Sequence, residues 1–574
     1  MPAAERRRRI LTRALPLVTL AIAAFAGGLI VASGPDSSAG ERFLAAWEDR
    51  DFDGMHAELT ADAKGRYPLE QFERSYTVAA QTATVSQMEI GEPDEDGDAI
   101  VAPVTIATHA FGEFEAELSL PLVDGLVAWS PHLVFPGLAE DERLTRRTRA
   151  PLRAAILAAD RTPLAQGPAA ARSVDTAASA VVGSVGAPSR GQADELATRG
   201  FPPGTLTGAS GLELAWNERL AGRPGGQLLA VSAGEQSEVG GGRILASSEP
   251  VRGEPVRTTI DPALQEASVV ALGDLYGGVA VLDARTGSVL ALSGLAYSAP
   301  QPPGSTFKVI TATGALDAGI VKLADEFPVE TSNSDIGREI PNAHDEACGG
   351  TFTVSFARSC NTVFAPLGAD LGGERLVETA ERFGFNETPT LFDSEATEAI
   401  DPPASTIPQT LGEGVETGES AIGQGQVLAT PLQMASVAQT IANGGERMPT
   451  PIARAPELQA DAGPVRVTSQ RTAAIVRDLM VAVVSDGTGV AAALPGIQVA
   501  GKTGTAELGP AALEPGQELA PDEEPPQETD AWFTAFAPAA DPELAVAVMV
   551  VDSEGDGGTV AAPIAREVLA AGLG

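Results

Sequence analysis

Ser305 and Lys308 stand three residues apart in Pro302-Pro303-Gly304-Ser305-Thr306-Phe307-Lys308, with apolar Val309 and Ile310 directly after. The prolines and glycine break whatever precedes them, and the apolar run reads as a helix entering a core. Positions three apart on a helix share a face, so the hydroxyl and the amine become neighbours. A serine attacks an acyl group only once its proton has been taken, and a neutral lysine amine can take it. Taken alone, this spacing also describes a surface serine and a surface lysine met by chance. Two further features give it meaning. Only four of the 38 basic residues are lysine: Lys64, Lys308, Lys322 and Lys502. Arginine cannot be deprotonated in a protein and lysine can, so each remaining lysine is a candidate for acid–base work. Lys502 lies in Gly501-Lys502-Thr503-Gly504-Thr505, and Ser359-Cys360-Asn361 falls between the two lysines.

These residues need a large fold to bring them together, and 574 residues predict three to four domains. A hydrophobic fraction of 44% with 20% charged residues is that of a globular protein, and a net charge of −39 argues against nucleic acid as a partner. Two cysteines exclude a disulfide-dense scaffold and most zinc arrangements. With only His56, His109, His132 and His344, and no Gly-x-Ser-x-Gly, a serine–histidine hydrolase is not expected. Arg6 to Arg9 and Arg13 precede an apolar run over 14–33, about one membrane span, with the arginines holding its start in the cytoplasm. A signal peptide cleaved near Val31-Ala32-Ser33 is the competing reading; the run is longer than a usual signal core, so an uncleaved single-pass anchor is expected.

Residues 39–139 read as a small α+β domain. Phe43, Leu44 and Trp47 fall at helical spacing, Phe72 and Tyr76 mark a second helix, and Ile100 to Ile106 and Phe114 to Leu120 alternate as strands, with turns at Gly112 and Gly125. From 143 to 257 the composition turns to glycine, proline, alanine and arginine; its arginine-rich start reads as a partner surface or a solvated linker face. Residues 258–574 form the last domain. It opens with a hairpin over Val279 to Asp283 and Val289 to Leu292, then the Ser305 helix and a helical middle from 354 to 442 that includes Gly423 to Gln426. Strands return at 497–502, 532–537 and 544–551 before a final helix. Gly496 to Thr503 matches a phosphate-binding loop in letters only, because that loop needs a helix from its lysine and Gly504 and Pro510 forbid one.

Ser-x-x-Lys, Ser-x-Asn and Lys-Thr-Gly-Thr, in that order and about 50 and 140 residues apart, resemble the penicillin-binding proteins and serine β-lactamases. Gly208-Ala209-Ser210-Gly211-Leu212-Glu213 and Leu220 to Gly225 look like the pedestal, or dimerisation, region of class B members, and 39–139 resembles a cone-like nuclear-transport-factor-like module. The resemblance implies a membrane-anchored class B peptidoglycan D,D-transpeptidase. Its penicillin-recognising domain would pair an antiparallel sheet with a helical subdomain, and it would be inhibited covalently by β-lactams. It implies Ser305 as nucleophile, Lys308 as general base and Ser359 as proton relay. Asn361, Lys502, Thr503, Gly504 and Thr505 would hold the substrate, and the backbone N–H groups of Ser305 and Thr505 would form the oxyanion hole. Lys308 must then fall from about 10.4 to near neutrality, a change worth about 4 kcal/mol, through burial and the charge of Lys502. No metal or cofactor is needed. Stem peptides and a glycosyltransferase or other divisome or elongasome membrane protein are the expected partners, with the catalytic domain outside the cell membrane.

A D,D-carboxypeptidase or β-lactamase would share the acyl-enzyme; Cys360, where class A β-lactamases carry aspartate, argues against the latter. A non-catalytic divisome scaffold or β-lactam sensor is the alternative of another kind. One departure from the family is the acidic, proline-rich segment 508–529, expected to be either a gate or a solvated insertion. Cys348 and Cys360, 12 residues apart, either pair as a disulfide on the oxidising side of the membrane or stay two thiols.

Overall fold

The computed structural model describes residues 37–232, 242–393, 400, 402–510 and 527–574. The expected anchor at 14–33 lies outside them, and among the described residues no helix is long and apolar enough to cross a membrane. The chain divides into two compact units, each drawing on separate stretches of sequence.

The first unit holds the described residues up to Leu152 together with 187–205 and 221–253. Helix α1 (Ala39–Glu48) starts at a capping box in which Ser38 and Glu41 satisfy each other's backbone N–H. Its Phe43 and Trp47 pack with Phe72 and Tyr76 of α2 (Leu69–Ala83), at the helical spacings expected. Strand β1 (Ala99–Thr108) pairs along its whole length with β2 (Gly112–Val123), and Ile100, Ala102, Val104 and Ile106 all point into this core. The Tyr76 hydroxyl, buried beneath, accepts from Trp129 Nε1 at 2.9 Å. A second sheet joins β3 (Glu142–Arg149), β4 (Gly225–Ser232) and β5 (Arg243–Ser248), with β4 in the middle.

The second unit holds 153–186, 206–220 and 254–574, so segment 143–257 is shared between the two. The arginine-rich stretch is not purely a solvated linker face: some of its side chains hold the fold, while Arg149 stays exposed. Arg146 donates to the carbonyls of Gln81 and Ala197 within the first unit. Arg153, in the second, donates through Nε to Glu213 at 2.6 Å, and Arg172 meets the other carboxylate oxygen at 2.6 Å. Glu213 is completely buried.

The main sheet of this unit is antiparallel and five-stranded. It comprises β6 (Gly277–Asp283), β7 (Val289–Gly294), β8 (Ala500–Pro510), β9 (Gln527–Ala537) and β10 (Leu544–Val550), in the order β7-β6-β10-β9-β8. Every residue of β10 is buried, because both faces are covered. Ala547, Met549, Trp532 and Phe536 face the helical subdomain, while Val546, Val548 and Phe533 face α3 (Pro262–Leu272) and the C-terminal helix Ala562–Leu573. Strand β8 starts at Ala500 rather than at 497 and continues to Pro510, and β9 begins at Gln527 rather than 532. The ends of the acidic segment are thus strand, its register carried by backbone pairing with β9 rather than by apolar alternation; its middle lies outside the described residues. Outermost in the sheet, β8 has one edge with no strand paired to it among the described residues, and that edge borders the site.

Candidate active site

Ser305 sits in a 3-10 turn, Gly304–Phe307, that runs straight into helix α4 (Lys308–Asp317). In a 3-10 turn positions three apart eclipse, so the hydroxyl and the amine share a face as expected. The turn is held by backbone against backbone. Gly304 N donates to Gly423 O at 3.0 Å. A Cβ on Gly304 would come within 2.7 Å of the Thr505 carbonyl oxygen, one on Gly504 within 2.6 Å of Pro303 O, and one on Gly423 within 2.0 Å of Gly304 O. Gly423 lies in a turn at φ +77° rather than in the helix expected there, because only a glycine turn lets the two peptides approach.

Helix α5 (Phe352–Ala357) ends just before Ser359, and α6 (Asn361–Leu371) begins just after it. Ser359 itself is left-handed at φ +62°, an unfavourable conformation for a residue with a Cβ. Its surroundings dictate it: Ser359 N donates to Phe356 O at 3.1 Å and Cys360 N to Ser355 O at 2.9 Å. Cys360, fully buried, is bonded to Cys348 with Cα atoms 5.3 Å apart. Closing so short a loop contributes roughly 3 kcal/mol in the chain-entropy model. Reduction, or Cys348→Ser, is expected to slow serine acylation several-fold while the domain stays folded. An unchanged rate in the fully reduced protein would show that the bond does not brace Ser359.

Lys308 and Lys502 are both completely buried. Lys308 Nζ donates at 2.7 Å to the Ser359 carbonyl and at 2.7 Å to Asn361 Oδ1, and lies 3.3 Å from Ser359 Oγ. Lys502 Nζ donates to Ser359 Oγ at 2.8 Å and to Thr503 O at 3.0 Å. The Ser359 hydroxyl therefore lies between the two amines. Burial, and next the charge of Lys502, push Lys308 well below its ordinary value. Burial alone brings Lys502 down to about 7. A neutral amine has two N–H groups and one lone pair. The two 2.7 Å acceptors use both N–H groups of Lys308, so its lone pair is left to accept a proton from a hydroxyl.

The sign of this coupling can be tested. A lysine that works as the neutral amine loses activity as pH falls through its pKa. Lys502→Met removes the positive charge that helps depress Lys308, so the acid limb of the acylation pH profile should move to higher pH. A limb that stays in place would show that burial alone sets Lys308.

Ser305, Ser359, Asn361, Thr503, Gly504 and Thr505 line one cavity of about 940 Å³, with Lys308 and Lys502 beneath its wall. All eight residues singled out in the sequence are thus brought together. Others were not singled out. Thr488 Oγ1 lies 2.5 Å from Thr503 Oγ1, and its N–H donates to Ala357 O at 3.1 Å. Gly557 N donates to Thr505 Oγ1 at 3.4 Å from a turn capped by Asp556 and Thr559. The only sequence signals for them were Gly-Thr clusters at 487–489 and 557–559, ordinary marks of a turn.

Residues 277–570, just over half of the chain, match the penicillin binding protein transpeptidase domain, and 171–258 match the penicillin-binding protein dimerisation domain. The chain is 35% identical over 383 residues to the peptidoglycan D,D-transpeptidase PbpA of Mycolicibacterium smegmatis, covering 56% of this chain and 73% of that one. It is 34% identical over 384 residues to PbpA of Mycobacterium tuberculosis, with the same coverage. The penicillin G acyl-enzyme structure of M. tuberculosis penicillin-binding protein A superimposes with a TM-score of 0.55 at 26% identity, covering 74% of this chain and all of that one. With a dimerisation domain ahead of a transpeptidase domain, the chain belongs to the penicillin-binding protein transpeptidase family, as a class B peptidoglycan D,D-transpeptidase.

Proposed function

We propose that Ser305 is the nucleophile of this transpeptidase, Lys308 its general base and Ser359 the relay between the two lysines. The observation that carries the reading is the Ser359 hydroxyl held between two buried amines, 2.8 Å from Lys502 and 3.3 Å from Lys308. The enzyme cross-links peptidoglycan stem peptides by serine-type D,D-transpeptidation. Ser305 Oγ attacks the carbonyl of the penultimate D-alanine and gives its proton to Lys308. The backbone N–H groups of Ser305 and Thr505 receive the oxyanion. The nitrogen of the last D-alanine takes a proton through Ser359 and departs, leaving the ester. An acceptor amine then attacks, its proton returns along the same path, and Ser305 is freed. Asn361 keeps capacity for the substrate amide: its Oδ1 accepts from Lys308 and its Nδ2 donates to Pro341 O at 3.0 Å, each with one site left over. Gly504 lets the substrate backbone lie along the free edge of β8, and Thr503 and Thr505 grip its terminal carboxylate. A β-lactam opens on the same serine, with no leaving group to depart.

Residues 39–139, helices packed on an antiparallel sheet, are read as the nuclear-transport-factor-like spacer or docking module. Residues 14–33 are read as the anchor that keeps catalysis outside the membrane, beside a glycosyltransferase or other divisome or elongasome partner. Mapping the adduct of a labelled penicillin, and then supplying a stem-peptide donor with an amine acceptor, tests the reading. The label should fall on Ser305 and the donor should be transferred. An adduct on another serine, or hydrolysis with no transfer, would sink it.

A further inference from the structure

A terminal carboxylate gripped by two threonine hydroxyls brings a full negative charge into a cavity already lined by Glu339, Glu346, Glu419, Glu507 and Asp556. Hydroxyls supply hydrogen bonds without charge, and an anion among carboxylates needs a cation. Lys502 is poorly suited to that duty. It lies beneath the cavity wall and directs N–H groups at Ser359 Oγ and Thr503 O. With its titration brought down to about 7 by burial, it carries only part of a charge near neutrality.

Among the described residues, two arginines line the cavity. Arg338 is occupied by an ion pair with Glu419. Arg358 is exposed and has no acidic partner among the described residues. Its position follows from the fold: it is the residue that closes α5, immediately before Ser359. The preceding residue, Ala357, accepts from Thr488 N at 3.1 Å, and Thr488 Oγ1 lies 2.5 Å from Thr503 Oγ1. Two hydrogen bonds thus tie the turn that carries Arg358 to the strand that carries the carboxylate-binding threonines.

We propose that Arg358 is a substrate-binding residue whose guanidinium pairs with the terminal carboxylate of the donor peptide, and with the carboxylate of a β-lactam, beside Thr503 and Thr505. The proposal rests on the reading of those threonines as the carboxylate site. It makes Arg358 responsible for the preference for a free acid over its ester, a property separate from the nucleophile's own reactivity.

The test measures second-order acylation of the full chain by benzylpenicillin and by its uncharged methyl ester, in the wild type, Arg358→Gln and Arg358→Lys. Loss of one charge-assisted pair should slow acylation by the acid about 10- to 100-fold in Arg358→Gln. The ester should be slowed by no more than about 3-fold, since it offers no charge to pair. Arg358→Lys should recover much of the acid's advantage, and added salt should erode it in the wild type. Equal losses on acid and ester would overturn the proposal, since that is what a displaced Ser359 would give. So would an unchanged rate with the acid, or a defect confined to transfer from a preformed acyl-enzyme to an amine, which would assign Arg358 to the acceptor. The adduct is mapped in each protein: a label away from Ser305 would overturn the nucleophile assignment, while the acid-to-ester ratio alone decides Arg358.

Discussion

Lys308→Arg is expected to acylate about 10²- to 10⁴-fold more slowly than the wild type, nearly as slowly as Lys308→Ala, because general-base catalysis contributes on that order. A guanidinium is always charged and can still donate to the Ser359 carbonyl and Asn361, the two acceptors that Lys308 reaches at 2.7 Å. It cannot accept a proton at any pH the protein survives. A role limited to charge or hydrogen bonding would therefore be preserved by arginine, and a base would be lost. Lys502→Arg provides the contrast. Its proposed role is mostly electrostatic, so it should be the milder change. Stopped-flow acylation with a chromogenic β-lactam measures both. Wild-type rates in both arginine variants would remove the general base from Lys308.

Glu213→Ala should destabilise the second unit by about 3–5 kcal/mol, the usual cost of leaving buried charge uncompensated. Two guanidinium groups, those of Arg153 and Arg172, converge on this one carboxylate, and both side chains are at least 95% buried. The carboxylate is therefore more than a decoration on Gly208 to Glu213; it is the only acid within ion-pair distance of either arginine among the described residues. Glu213→Gln keeps the hydrogen-bonding oxygen without the charge and should fall between. A surface pair such as Arg74–Glu70, exposed by 70% and 85%, should contribute little. Urea unfolding of the three variants, followed by a probe in the second unit, gives the order. A shift below about 1 kcal/mol for Glu213→Ala would contradict the cost expected for a buried, unpaired charge.

The parts of this site that were legible in the sequence are those whose geometry is local. Ser305 and Lys308 are fixed relative to each other by one helical turn, and Lys502 to Thr505 by one strand, so residue types and short spacings were enough. Thr488 and Gly557 escaped because each acts only through an approach made by distant chain: Thr488 meets Thr503 across 15 residues and Gly557 meets Thr505 across 52. The extent of β8 was underestimated for a related reason. From Thr503 to Pro510 its apolar alternation is limited to Ala506 and Leu508, and its register comes from pairing with Trp532, Ala531 and their neighbours in β9. The arginine-rich segment misled differently. Whether Arg153 faces water or Glu213 depends on a residue 60 positions later, and composition cannot report that pairing. Gly423 to Gln426 lay within a stretch dominated by helix, and only contact with Gly304 explains why the chain turns there.

The turn that carries Ser305 is clamped by peptide groups, Gly304 against Thr505 and Gly423 and Gly504 against Pro303. Such a clamp offers evolution nothing to trim or enlarge: any substituent on those three glycines collides with a carbonyl oxygen that cannot step aside. With Ser305 as the proposed nucleophile, its reach toward a drug cannot be lengthened there under antibiotic selection without being lengthened equally toward the natural peptide. Resistance that spares growth must then be written elsewhere, in side chains that one ligand touches and the other does not. Arg338 and Glu419, which line the cavity away from that clamp, are side chains of this kind.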